Sequence, residues 1–178
     1  MAGSRKISLM GPDVTAKDVH EGGTLGLGLV VPPHLVQHAT NPSSWAGYPY
    51  GQQHTLIKAA EARLAVQCGA ELVAVVPTRE AVRAEHSTQL LSEVVAIREA
   101  VPHPARLAVA LDATVFTPHE LARAAAWLRP SGVDALVSPV HEGVRELEAA
   151  GLPVILLVEN ADADKYPAHE VWITDFCG

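Results

Sequence analysis

Lysine is scarce in this 178-residue chain, with four residues at positions 6, 17, 58 and 165. Any chemistry that runs through an amine therefore has few places to happen. Aromatic residues make up 4% of the chain, so Ala, Val and Leu have to build most of the core. The two cysteines, Cys68 and Cys177, form no CxxC pair. This excludes a disulfide framework and fits a reducing, cytoplasmic setting. The longest apolar run, Leu152 to Val158, is about a third of a membrane span. No apolar block follows the basic start Met-Ala-Gly-Ser-Arg-Lys, so neither a membrane anchor nor a signal segment is expected. Thirteen basic against twenty acidic residues give a net charge of −7 with no Lys/Arg cluster, which excludes a nucleic-acid binder. The nine histidines are scattered, with no HxH or HExxH pair, and no metal is expected. Gly26-Leu-Gly28 lacks the third glycine of a dinucleotide turn, and no P-loop or Gly-x-Ser-x-Gly elbow occurs. No cofactor is expected.

What the chain does have is regular alternation. Apolar residues are 48% of the total. They gather in eight short runs at Ile7–Met10, Leu25–Val31, Trp45–Tyr48, Leu72–Val76, Leu107–Leu111, Ala135–Val140, Val154–Val158 and Val171–Thr174. Runs with so little polar alternation suit strands buried on both faces. Helical patterns lie between them. The strongest is Thr55–Gly69, where Leu56, Ala59, Ala60, Leu64 and Ala65 offer an inward stripe and Gly69 a stop. Lys58 sits one turn in and most simply pairs with Glu61. Ser87 is placed to cap a helix running to about Val101, and Thr117-Pro-His-Glu120 reads as a capping box. Shorter helices are expected over His141–Gly151, Ala16–Gly22 and Pro33–Ala39.

Eight such units predict a compact (βα)8 barrel of the TIM type, a single α/β domain over residues 1–178. Barrels usually run to ~250 residues, so the helices must be short. An incomplete barrel or an open parallel sheet is the alternative. Thin helical cover leaves apolar surface outside, which favours a homo-oligomer.

The stretch Gly47-Tyr-Pro-Tyr-Gly-Gln-Gln-His-Thr-Leu-Ile-Lys-Ala-Ala-Glu-Ala62 resembles the Gly-Phe-Pro-x-Gly turn and Thr-x-x-Lys-x-x-Glu-Ala helix of the deoxyribose-phosphate aldolases. Further likenesses lie at Pro12–Val19, Val30–Val36, Leu107–Thr114 and Gly132-Val-Asp134, so the resemblance covers roughly residues 5 to 140 in order. It implies an aldolase-type barrel. It also implies losses. Val137 stands where the family has its Schiff-base lysine, Ala74 where it has a catalytic Asp, and Asp112 where it has a Glu. After residue 140 the family's second important lysine and its glycine-rich phosphate turns have no counterpart.

In a barrel the working face is made by the loops at the strands' C-terminal ends. Asp13 and Thr114 belong to that polar inventory. His54, Asp112, Tyr48 and Tyr50 are the candidates for proton transfer. Thr78, Ser138, His141, Glu159, Asn160 and Asp175 are candidates for substrate contact. They point to an enzyme acting on a small carbonyl-containing metabolite by acid/base chemistry, as a lyase, cyclase or isomerase without an imine. The alternatives are a catalytically inactive binding or scaffold protein, and a retained class I aldolase that uses Lys165. Convergence of His54, Asp112 and the tyrosines on one apolar-walled cavity would favour the enzyme, and a cavity filled by side chains such as Val137 and Leu157 would favour the scaffold.

Overall fold

A computed structural model of the chain describes residues 3–167 and 169–174. Asp175 and Cys177 lie outside these residues, as does the side chain of Asn160. Eight parallel strands close into a barrel in sequence order, β1 pairing with β8. They are β1 Arg5–Ser8, β2 Gly28–Val31, β3 Ser43–Ala46, β4 Leu72–Val75, β5 Arg106–Ala110, β6 Ala135–Pro139, β7 Val154–Val158 and β8 Glu170–Ile173. Each of the eight apolar runs therefore marks a strand.

β1 is shifted by two residues, to Arg5–Ser8, and β3 by the same two, starting at Ser43 and ending at Ala46 instead of running over Trp45–Tyr48. Two buried serines are tolerated there because their hydroxyls are bonded. Ser44 donates to the Val31 carbonyl at 2.8 Å, and Ser43 accepts from Lys6 Nζ at 2.8 Å. Gly47, at φ +74°, then turns the chain out of the strand.

Inside the barrel Val30, Trp45, Leu72, Ala74, Ala108, Ala135, Val137, Ile155 and Trp172 form a core distinct from the one between strands and helices. Trp45 and Trp172 meet edge to face, their rings 5.5 Å apart. The small residues make this possible. Ala74 sits directly across from Trp45 on the neighbouring strand, so the indole fills space that a larger residue would claim. In a chain poor in aromatics, two of its three tryptophans plug the barrel. At the N-terminal end Lys6 also donates to the Asn41 carbonyl at 3.1 Å. Burial pulls its amine below the ordinary lysine range, against the raising influence of Glu170.

The helices are α1 Ala16–Gly23, α2 Thr55–Gln67, α3 Arg79–Arg83, α4 Thr88–Ala100, α5 Pro118–Leu128 and α6 Val144–Ala149. Pro33–His38 is a 3-10 turn rather than a helix, and α3 was not expected. Thr117 and Glu120 form the predicted capping box, and Thr15 with Asp18 forms another at α1. Ser87 precedes α4 but makes no side-chain cap.

The expected inward stripe of α2 holds at Ala59 and Ala65 and fails at Leu56, Ala60 and Leu64. Lys58, Ala62 and Ala65 are buried and Ala59 partly so, while Leu56, Ala60 and Leu64 face outward. The helix is rotated because Lys58 is drawn beneath it to a buried acid, and alanines let it approach the sheet closely.

Candidate functional site at the barrel mouth

A cavity of about 230 Å³ opens at the C-terminal end of the strands. Trp45, Val76, Ala110, Val137 and Leu157 supply apolar lining from five successive strands or their ends, and Pro139 and Phe116 extend it. Arg83 stacks over the Phe116 ring at 5.5 Å from its centroid. Among the described residues three polar side chains join the lining from consecutive loops: Tyr48 after β3, Arg79 after β4 and Asp112 after β5. The arc from β3 to β5 is thus polar at its rim, and the arc over β6 and β7 is apolar.

Tyr48 lies against Trp45, ring centroids 5.4 Å apart, and is half exposed. Asp112 is partly buried. Its Oδ1 accepts the Thr114 N–H at 2.9 Å and the Thr114 hydroxyl at 2.6 Å, fixing the carboxylate in its turn. Among the described residues no hydrogen bond engages Oδ2. Arg79 is exposed and makes no ion pair within 4.0 Å among the described residues. No lysine lines the cavity.

Most of the other candidates are not part of it. His54 caps α2, its Nδ1 accepting the Leu56 N–H at 3.2 Å. Tyr50 is 62% exposed and lies outside the lining. Ser138 is fully buried, donating to the Pro139 carbonyl and accepting the Ala113 N–H, both at 3.0 Å. His141 accepts the Gly143 N–H at 3.3 Å in the loop before α6. Glu159 lines a neighbouring depression with Asp162 and Thr174. Three candidates, His54, Ser138 and His141, therefore spend polar groups on nearby backbone, which has orphan donors to satisfy. Lys165 pairs with Asp162, whose hydrogen bond raises the amine's pKa, and it stands in solvent. Among the described residues no three His, Cys, Asp or Glu side chains gather as a metal site would require.

Thr78 also turns away from the cavity lining, and it leads to a feature that sequence reasoning missed. Lys58, fully buried, pairs with Glu93 of α4 and not with Glu61. Its Nζ also donates to the Val76 carbonyl at 3.0 Å and to Thr78 Oγ1 at 3.4 Å. Glu93 Oε2 accepts the Thr78 N–H at 3.2 Å. Glu61 instead accepts the Gly47 N–H at 2.7 Å. This amine and acid lie behind the barrel wall, between α2 and α4. Arg79 follows Thr78 directly, so a reading of the β4 loop carried one residue further would have found it. The Lys58–Glu93 pair, 35 residues apart, leaves no local signal.

No protein-family model matches the chain. A curated deoxyribose-phosphate aldolase of Corynebacterium glutamicum is 36% identical over 139 residues, covering 71% of this chain and 63% of the relative. One of Thermus thermophilus is 31% identical over 169 residues, covering 88% and 76%. The chain spans about three fifths of the length of the two corynebacterial relatives it matches, 63% and 58%. Among solved structures, the tetrameric deoxyribose-phosphate aldolase of Aeropyrum pernix superposes with a TM-score of 0.80 at 21% identity, over 97% of this chain and 86% of that one. The aldolase QR15 gives 0.84 at 18% identity, over 95% and 89%. Closed barrel, strand order and sequence identity agree: the chain belongs to the deoxyribose-phosphate aldolase family.

Proposed function

We propose that this chain is a divergent family member whose mouth cavity takes a small, unphosphorylated molecule carrying a carbonyl group, and acts on it by proton transfer without a Schiff base. The observation that carries this reading is the cavity lining, which holds Tyr48, Asp112 and Arg79 but no lysine. By the resemblance, Val137 and Ala74 replace the family's imine lysine and its acid partner. Val137 lines the cavity and Ala74 packs against Trp45, so neither position offers a titratable group. The volume of about 230 Å³ lies below the range of drug-sized pockets and suits a ligand of a few carbons. In the proposed step Asp112 Oδ2 takes a proton from the carbon beside the carbonyl. Tyr48 donates a hydrogen bond to the oxygen where negative charge develops, and Arg79 orients an electron-rich end of the ligand. His54 and Tyr50 have no part in it.

Incubation with short aldehydes and ketones followed by borohydride tests the absence of an imine. Recovery of unmodified protein is expected, and covalent capture at Lys165 or Lys58 overturns the reading. Enolisation provides the positive arm. Deuterium exchange beside the carbonyl of a bound ligand should require Asp112 and fall at least tenfold in Asp112→Asn.

A second reading, a catalytically inactive binding or scaffold protein, is favoured by the structural use of His54, Ser138 and His141. Ligand binding without any proton exchange would select it.

We further propose a cytoplasmic, single-domain protein that self-associates. Leu56, Ile57 and Leu64 of α2 are 58–69% exposed, and Arg63 is the one exposed charge beside them on the helix. A second copy is the occupant we favour, since such a face is self-complementary about a two-fold axis and the Aeropyrum relative is tetrameric. Leu64→Glu should lower the sedimentation mass, and an unchanged mass would reject the face.

A further inference from the structure

We propose that Lys58 and Glu93 are positioning residues of the mouth, a buried ion pair that fixes the two loops carrying its polar rim. The proposal rests on the mouth cavity being the working site only for its consequence; its structural content stands or falls without a ligand.

Two loops meet at this pair. The first, Gly47–Gly51, carries Tyr48 and Pro49. The second, Val76–Thr78, leads into Arg79. Lys58 holds the second loop through the Val76 carbonyl and the Thr78 hydroxyl, and Glu93 holds it through the Thr78 N–H. Thr78 Oγ1 lies 3.4 Å from the Gly51 carbonyl, which ties the second loop to the first. Glu61, one turn beyond Lys58, takes the Gly47 N–H. The glycines are part of the same construction. At Gly47 an added Cβ would lie 3.0 Å from Lys58 Cδ and 3.1 Å from the Val76 carbonyl oxygen. At Gly51, with φ +69°, it would lie 2.3 Å from the Pro77 carbonyl oxygen. Gly51 is packed backbone against backbone on the second loop, and Gly47 lies against the Lys58 side chain, so neither position has room for a Cβ.

The Thr-x-x-Lys-x-x-Glu pattern of α2 acquires a physical meaning from this. Lys58 and Glu61 are three residues apart on one helix, and each reaches a different loop of the mouth. Val76 shows the coupling most directly: its side chain lines the cavity, and its carbonyl accepts from Lys58. A backbone that moved by an ångström at Val76 would move the cavity wall with it. A pair of charges held in this way is costly to bury, and replacement by apolar residues is often neutral or stabilising, so its retention fits a role in specifying geometry.

Hydrogen exchange followed by mass spectrometry tests the idea on the full chain. Lys58→Met alone leaves Glu93 buried without its cation and risks unfolding. The informative variant is the double substitution Lys58→Met with Glu93→Leu, which removes both charges and keeps the volume. The expected result is a retained thermal midpoint with exchange at least tenfold faster in residues 47–51 and 76–79, and unchanged exchange in β6, β7 and α5. Glu93→Gln, which still accepts from the Thr78 N–H, should give an intermediate rate. Unchanged exchange in both loops overturns the proposal. Equal acceleration throughout the barrel overturns it too, since the pair would then be an ordinary core element. If the loops loosen while ligand binding at the mouth proves absent, the positioning role stands and the functional reading fails.

Discussion

The two sides of β4 hold opposite chemistries. On the inner side Ala74 and Val76 face tryptophan, valine and leucine, and the cavity above them is apolar apart from its rim. Behind the strand's C-terminal end, between α2 and α4, Lys58 and Glu93 form a buried ion pair. An amine beside an acid is what imine chemistry needs. Here both groups are present, but behind the strand, where Thr78 and Glu93 border a pocket separate from the mouth cavity. The lesson concerns location: a reactive pair is defined by which face of a strand its side chains approach from, and four lysines in the composition say nothing of that.

The comparison is broken most severely by removing one charge from the buried pair. Lys58→Met should destabilise the fold by about 3–5 kcal/mol, because it strands a buried carboxylate. Urea denaturation measures it, and a loss under 1 kcal/mol would show that Glu93 finds water. Placing an amine on the inner side sharpens the contrast. Val137→Lys should cost about 1–3 kcal/mol through overpacking, yet become trappable by aldehyde and borohydride where no capture is expected of the native chain. A native-like inertness of that variant would mean that the cavity excludes small aldehydes. The junction between the two sides is Gly47. Gly47→Ala should cost about 1–2 kcal/mol, since φ is +74° and its Cβ would press on Lys58.

Far from both sides effects should be smaller. Thr117→Ala, which opens the capping box of α5, should cost about 1 kcal/mol in the same denaturation series. The acid limb of stability should be gentle. The backbone N–H of Thr117 holds the Glu120 carboxyl below its ordinary range, and the Thr15 hydroxyl does the same for Asp18. Folded pKa values below unfolded ones give a contribution present above the ordinary carboxylate range and lost as pH falls below it, through the lowered folded values. Both groups are on the surface, so a thermal midpoint falling steeply already between pH 7 and 5 would point to a different titrating group.

Much of the frame was readable in the chain. Eight apolar runs became eight strands, since strands covered on both faces cannot alternate, and Thr117 to Glu120 announced its own cap. The site was legible only in part. Tyr48 and Asp112 reach the mouth. His54 does not, because a residue that opens a helix has an unpaired N–H within reach, and its imidazole is used there. Tyr50 is one turn position too far out. Arg79 belongs to a five-residue helix too short to show periodicity. The inward face of α2 departs from the hydrophobic pattern because alanines and a paired lysine fit more closely against the sheet than leucines do.

The order of strands, their apolar character, the positive-φ glycines and the helix caps were set by the sequence, because each depends on residues adjacent or a few positions apart. Which side of β4 the amine occupies, which acid it meets 35 residues away, and which rim groups share a cavity were decided only by closure of the barrel. Those distances exist only once β1 has met β8, and no local energy term specifies them.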